Sequence, residues 1–221
     1  MTHDEYVKRA EVFVSPKELV GLVSSRQEVM TKSDLLSKSS HEEKDGWQGA
    51  VFSVGYEQIL RKPIQVRLSS HEGFPDFQIK VEATTHDFEA VMALDKKLGA
   101  EYKSDMSLGP VAAERPGVLP AFDPEPLRKA VMTKLEKHYH GTVHLLVYLN
   151  YAGAGGNFND MCRASREAGN GKFESIWLIA RGNTTGQPDK GSYFIACAHP
   201  SARLASTSAW VEIKGIKGLK P

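Results

Sequence analysis

The chain has 221 residues, with 28 Lys+Arg against 27 Asp+Glu, a net charge of +1 and 41% hydrophobic residues. This ordinary globular balance excludes a disordered chain. It also excludes a polybasic binder of the histone type, which needs an excess of cations, although opposite charges can still be segregated into a local basic groove. Cys162 and Cys197 are too few for a disulfide scaffold or a cysteine zinc site. The N-terminus has no apolar h-region, and no stretch approaches the ~20 apolar residues of a membrane span. A soluble, reduced, cytoplasmic protein without a membrane partner is expected.

Taken in chain order, Ser15-Pro16-Lys17-Glu18 combines an N-cap serine, proline at N1 and glutamate at N3, a capping box. Leu19, Val20, Val23 and Met30 continue that helix at helical spacing. Residues 41–46 read as a polar loop, and residues 47–60 as a helix interrupted by glycines. Ile64-Gln-Val-Arg-Leu68 alternates apolar and polar residues as a strand does. Residues 74–84 alternate over their whole length and predict one longer strand, with Phe77, Ile79, Val81 and Ala83 on its apolar face. Phe88, Val91, Met92, Leu98 and Tyr102 then predict a helix whose polar face carries Lys96, Lys97 and Lys103.

Residues 106–122 are rich in glycine and proline and predict a loop. Asp123-Pro124-Glu125 opens a further helix, with Leu127, Val131 and Leu135 at i, i+4 and i+8. Residues 143–150 are apolar on both faces, as a central strand covered from both sides requires. A glycine loop, a short helix near residues 159–168 and strands at 175–180 and 192–198 complete the pattern. The expected architecture is an α/β sandwich of two or three layers around a central mixed sheet. Its expected parts are an N-terminal helical arm (1–45), an α/β core (46–205) and a basic C-terminal tail (206–221).

Pro75-Asp76, followed by Glu82-Ala83-Thr84 on the same predicted strand, with Glu57 on the preceding helix, resembles the PD-(D/E)xK, or restriction-endonuclease-like, nuclease superfamily. The resemblance implies a nuclease-like fold over about residues 47–179 and Mg²⁺-dependent hydrolysis of DNA, or a degenerate relative. It also implies catalytic roles for Glu57, Asp76, Lys80, Glu82 and Lys103, with Asp76 and Glu82 as metal ligands. Carboxylates suit Mg²⁺ because it is a hard cation that prefers oxygen. Two departures stand out. Thr84 occupies the usual lysine position, and six residues of extended strand separate Asp76 from Glu82, roughly 20 Å.

Other constellations carry less. His138, His140 and His144 are imidazoles that suit Zn²⁺ or Ni²⁺, but they run from a helix end into a strand. Residues 153–157 form a glycine-rich loop without a P-loop signature. A second reading, from a different class, is a non-catalytic α/β module that works within a homo-oligomer or larger assembly.

Overall fold

A computed structural model describes residues 1–30, 41–69, 74–94, 123–137, 139–150, 158–169, 171–182, 192–199, 210–214 and 216. The elements run α1 (His3–Ala10), α2 (Pro16–Gln27), α3 (His41–Leu60), β1 (Ile64–Leu68), β2 (Phe77–Val81), β3 (Thr84–Leu94), α4 (Glu125–Leu135), β4 (Val143–Asn150), α5 (Phe158–Gly169), β5 (Ser175–Gly182), β6 (Ser192–His199) and β7 (Val211–Ile213).

One seven-stranded sheet holds the strands in sequence order, β1 to β7. β3, β4 and β5 run parallel, and the pairs β1–β2, β2–β3, β5–β6 and β6–β7 are antiparallel. Side chains of α1, α2 and α3 pack on one face around Phe77, Phe88, Leu146, Trp177 and Ile195. Those of α4 and α5 pack on the other face around Val143, Leu145, Val147 and Leu178. The result is the expected mixed α/β arrangement, with helices on both faces of the sheet. Parallel strands need crossover segments, and α4 and α5 supply them between β3 and β4 and between β4 and β5.

The local signals act as physical chemistry requires. The Ser15 hydroxyl accepts the Glu18 N–H at 3.2 Å and starts α2, which stops at Gln27, short of Met30. The Asp123 carboxylate accepts the Glu125 N–H at 2.9 Å where α4 begins. α3 runs unbroken through its glycines and starts at residue 41, where the sequence predicts a polar loop. Tyr6, Ala10, Leu19, Leu22 and Val23 share one core cluster with α3 and the sheet, and Val14 bridges to Val66. Within the expected basic tail, Val211–Ile213 forms β7, and Ile213 is buried.

Two expectations are corrected. The single strand over 74–84 is two strands, folded back at Glu82-Ala83, with Val81 opposite Thr84 and Glu82 at φ 56°. Simple alternation cannot reveal this turn, because polar and apolar residues keep alternating straight through it. Residues 88–94 form the second half of β3 instead of a helix. Their apolar run is sandwiched between both layers and paired in parallel with β4, which makes the side chains apolar on both faces and blurs the period.

Candidate active site

Where β2 begins beside the middle of β3, the backbone builds an acidic notch. Asp76 lies just before β2, and its N–H donates to the Phe88 carbonyl at 3.0 Å. The side chain turns back to accept the Ala90 N–H on Oδ2 at 2.7 Å, which satisfies a β3 donor that β2 no longer reaches. One residue before that amide stands Glu89, on the α4 face of the sheet and 0% exposed. Asp45, in the N-terminal part of α3, approaches closely enough to exchange charge effects with both carboxylates.

The last turn of α4 and the residues just after it supply cations. Lys134 Nζ stands 2.5 Å from Glu89 Oε1 and 3.6 Å from Asp76 Oδ2, and Lys137 Nζ reaches the same Glu89 oxygen at 2.6 Å. Lys134 is itself largely buried, with 12% of its side chain exposed. Tyr139 follows, its ring 5.1 Å from Phe74. Three carboxylates therefore face two ammonium groups in a place largely shut off from water, where uncompensated charge is costly.

The electrostatics follow from that imbalance. Burial, and then the charge of Asp76, push the Asp45 carboxyl up to about 7, against the opposing pull of Lys134. Asp76 is also raised, chiefly by burial, although Lys134 opposes the shift. Burial pulls Lys137 down, but its hydrogen bond to Glu89 and the negative charges around it outweigh this and hold it above the ordinary lysine value. Burial, followed by the Glu89 charge, raises the Tyr139 phenol.

The donor set fits a hard divalent cation. Among the described residues the buried Glu89 Oε2 and the Tyr139 hydroxyl each lack a hydrogen-bond partner of good geometry, although the two lie close enough for Tyr139 to act on the carboxylate as a donor. An orphaned carboxylate oxygen beside two further carboxyls is the oxygen chemistry that Mg²⁺ prefers. Among the described residues, no three His, Cys, Asp or Glu side chains already stand at the spacing of a preformed metal site. The Lys134 and Lys137 ammonium groups balance the carboxylate charge, with Lys134 bridging Asp76 and Glu89.

Of the residues singled out in the sequence, Asp76 enters this cluster and three others do not. Glu82 sits in the hairpin turn at the far end of β2 from Asp76, exposed and paired with Lys62 at 2.8 Å, so the expected pairing of Asp76 with Glu82 is not made. Glu57 Oε1 accepts the Ile64 N–H at 3.2 Å and secures the start of β1. Lys80 reaches over the Phe13 ring, 5.9 Å from its centroid. Lys96, Lys97, Lys103 and the 153–157 glycine loop lie outside the described residues, as does His138.

Asp45, Glu89, Lys134, Lys137 and Tyr139 escape sequence reasoning. For Glu89 a signal exists: it is the one charge within Phe88-Glu-Ala-Val-Met-Ala-Leu94. A charge inside a run destined for burial on both faces needs a partner, and here α4 provides it. No family model, no curated protein and no solved structure matches this chain.

Proposed function

We propose that the protein is a Mg²⁺-dependent nuclease that hydrolyses phosphodiester bonds of DNA. The observation that carries this reading is Asp76 and Glu89 sharing Lys134, with Lys137 on the same Glu89 oxygen and the other Glu89 oxygen buried without a well-placed partner among the described residues. It shifts the resemblance to PD-(D/E)xK nucleases from the Glu82 position to Glu89, on the neighbouring strand. It also answers the missing lysine at Thr84, because Lys134 arrives from a helix that follows in the chain.

In this reading Asp76, Glu89 and Asp45 hold the cation through oxygen. Mg²⁺, when bound, supplies an acidified water and neutralises charge on the phosphate. Lys134, released from its carboxylate partners, offers an ammonium to a phosphate oxygen, and Lys137 stays hydrogen-bonded to Glu89 Oε1. The Tyr139 hydroxyl is a neutral donor able to orient a ligand beside Glu89.

Nicking of supercoiled plasmid with Mg²⁺ or Mn²⁺ tests the assignment. Wild type and Glu82→Ala are expected to nick at the same rate, and Glu89→Gln to fall by about 100-fold or more, as loss of a transition-state contact does. Activity that survives in Glu89→Gln, or none in the wild type, overturns the reading and favours the non-catalytic module.

A further inference from the structure

A second cluster of ligating side chains lies on the opposite face of the sheet from Glu89, at the ends of β3, β4 and β5. His86 Nδ1 and His144 Nε2 face each other at 3.3 Å, with ring planes at 72°. The separation lets one neutral ring donate to the other when no ion is bound. Two imidazole nitrogens bound to one tetrahedral ion, with bonds of about 2.0–2.1 Å, stand about 3.3–3.4 Å apart. From the geometry we infer that His86 and His144 form a two-histidine seat for a borderline transition-metal ion of the Zn²⁺ class, separate from the carboxylate cluster.

The surroundings support the seat in three ways. His144 Nδ1 lies 2.7 Å from Ser175 Oγ, which also accepts the Trp177 indole N–H at 2.8 Å. With Nδ1–H donated to Ser175, the Nε2 lone pair is left for the metal, the outer-shell arrangement that fixes a ligating tautomer. The Phe88 ring stacks on His144 at 4.9 Å and holds its plane. Burial favours neutral imidazoles at both positions, and neutral imidazole is the ligating form.

Access and charge are also suitable. His144 is 5% exposed whereas His86 is half-buried, so an ion enters from the His86 side and keeps water in its remaining positions. The charged groups whose fields reach His86 are Asp87 and Glu174, both acidic, and His144 faces only His86 among the titratable groups that act on it. Imidazole nitrogen prefers Zn²⁺, Ni²⁺ or Cu²⁺ to Mg²⁺, so the two clusters select different metals.

Titration with Co²⁺, followed by its visible absorption and by displacement with Zn²⁺, tests the seat. Wild type and Asp76→Asn are expected to give the same low-coordinate Co²⁺ spectrum and the same stoichiometry, and Zn²⁺ to raise the melting temperature of both. His86→Ala, at a half-buried position, is expected to fold with an unchanged circular dichroism spectrum and to bind at least about tenfold more weakly, with no Zn²⁺-dependent melting shift. Absence of a Co²⁺ spectrum in the wild type, or its survival in folded His86→Ala, overturns the inference. Loss of it in Asp76→Asn would assign the ion to the carboxylate cluster instead and equally overturn it.

Discussion

Half-buried Asp45 and buried His144 are ionisable groups whose folded-state values move in opposite directions, and both cross the mildly acidic range. Asp45 is raised from 3.8 to about 7, first by burial and then by Asp76. Its contribution to stability is complete below about pH 4 and is lost as pH rises through 7, because the folded state holds that proton longer than the unfolded chain. Asp45→Asn is therefore expected to stabilise the protein at pH 8 by roughly 1–3 kcal/mol and hardly at pH 4, read from urea midpoints at the two values. If the protein is the nuclease proposed above, the same change is expected to weaken Mg²⁺ binding as well. A gap between variant and wild type that does not widen with pH would contradict the burial account.

His144 behaves in the reverse sense. Burial, and then His86, lower it from 6.5 to about 4. The stability it contributes is present above pH 6.5 and is lost as pH falls towards 4, since the unfolded imidazole takes up a proton that the folded one refuses. A loss of up to about 3 kcal/mol across that window follows. His144→Gln is expected to flatten this acid limb in urea unfolding, while Asp45→Asn leaves it intact and steepens the net fall. The two groups partly cancel in the wild type, so only the single variants separate them.

At the scale of elements, the cluster depends on how closely α1, α3 and the sheet approach. Gly46, next to Asp45, has the buried Tyr6 hydroxyl 2.0 Å from where a Cβ would stand, and Leu68 Cδ1 at 2.9 Å. Alanine normally stabilises a helix interior relative to glycine, by roughly 0.5–1 kcal/mol. Here overpacking wins, and Gly46→Ala is expected to cost about 1–3 kcal/mol in chemical denaturation. The β2–β3 hairpin has a comparable role. Its turn at Glu82-Ala83 returns the chain so that Phe77 pairs with Phe88, and that register sets Asp76 against Ala90. A one-residue slip would move Glu89 to the α3 face, away from Lys134, and dissolve the cluster.

For the whole molecule, near-neutrality of 28 against 27 charges is compatible with one local convergence of opposite charges. Carboxylates from the β2 start and β3 meet Lys134 of α4 and Lys137 just beyond it, with Asp45 of α3 within electrostatic reach. No described helix is long and apolar enough to cross a membrane. A cation that binds only the folded notch stabilises the entire fold by mass action, about 2.7 kcal/mol at one hundred times its dissociation constant. Saturating Mg²⁺ is accordingly expected to raise the melting temperature of the wild type and to leave that of Glu89→Gln unchanged. An equal shift in both would locate the cation elsewhere.

The amino-acid pattern alone determined the mixed α/β class, the starts of α2 and α4 from their caps and the buried strand at 143–150. These are local matters, set by capping hydrogen bonds and by the period of apolar residues along a few turns or one strand. What only the tertiary structure decided is the partner of Asp76. Alternation passes through a hairpin turn unchanged, and a strand buried on both faces loses its period, so neither the turn at Glu82 nor the strand character of residues 88–94 could be read from the pattern. Lys134 and Glu89 meet at 2.5 Å across 45 positions of chain. No spacing rule reports such a contact, because a buried charge is satisfied by whichever element the fold brings over it.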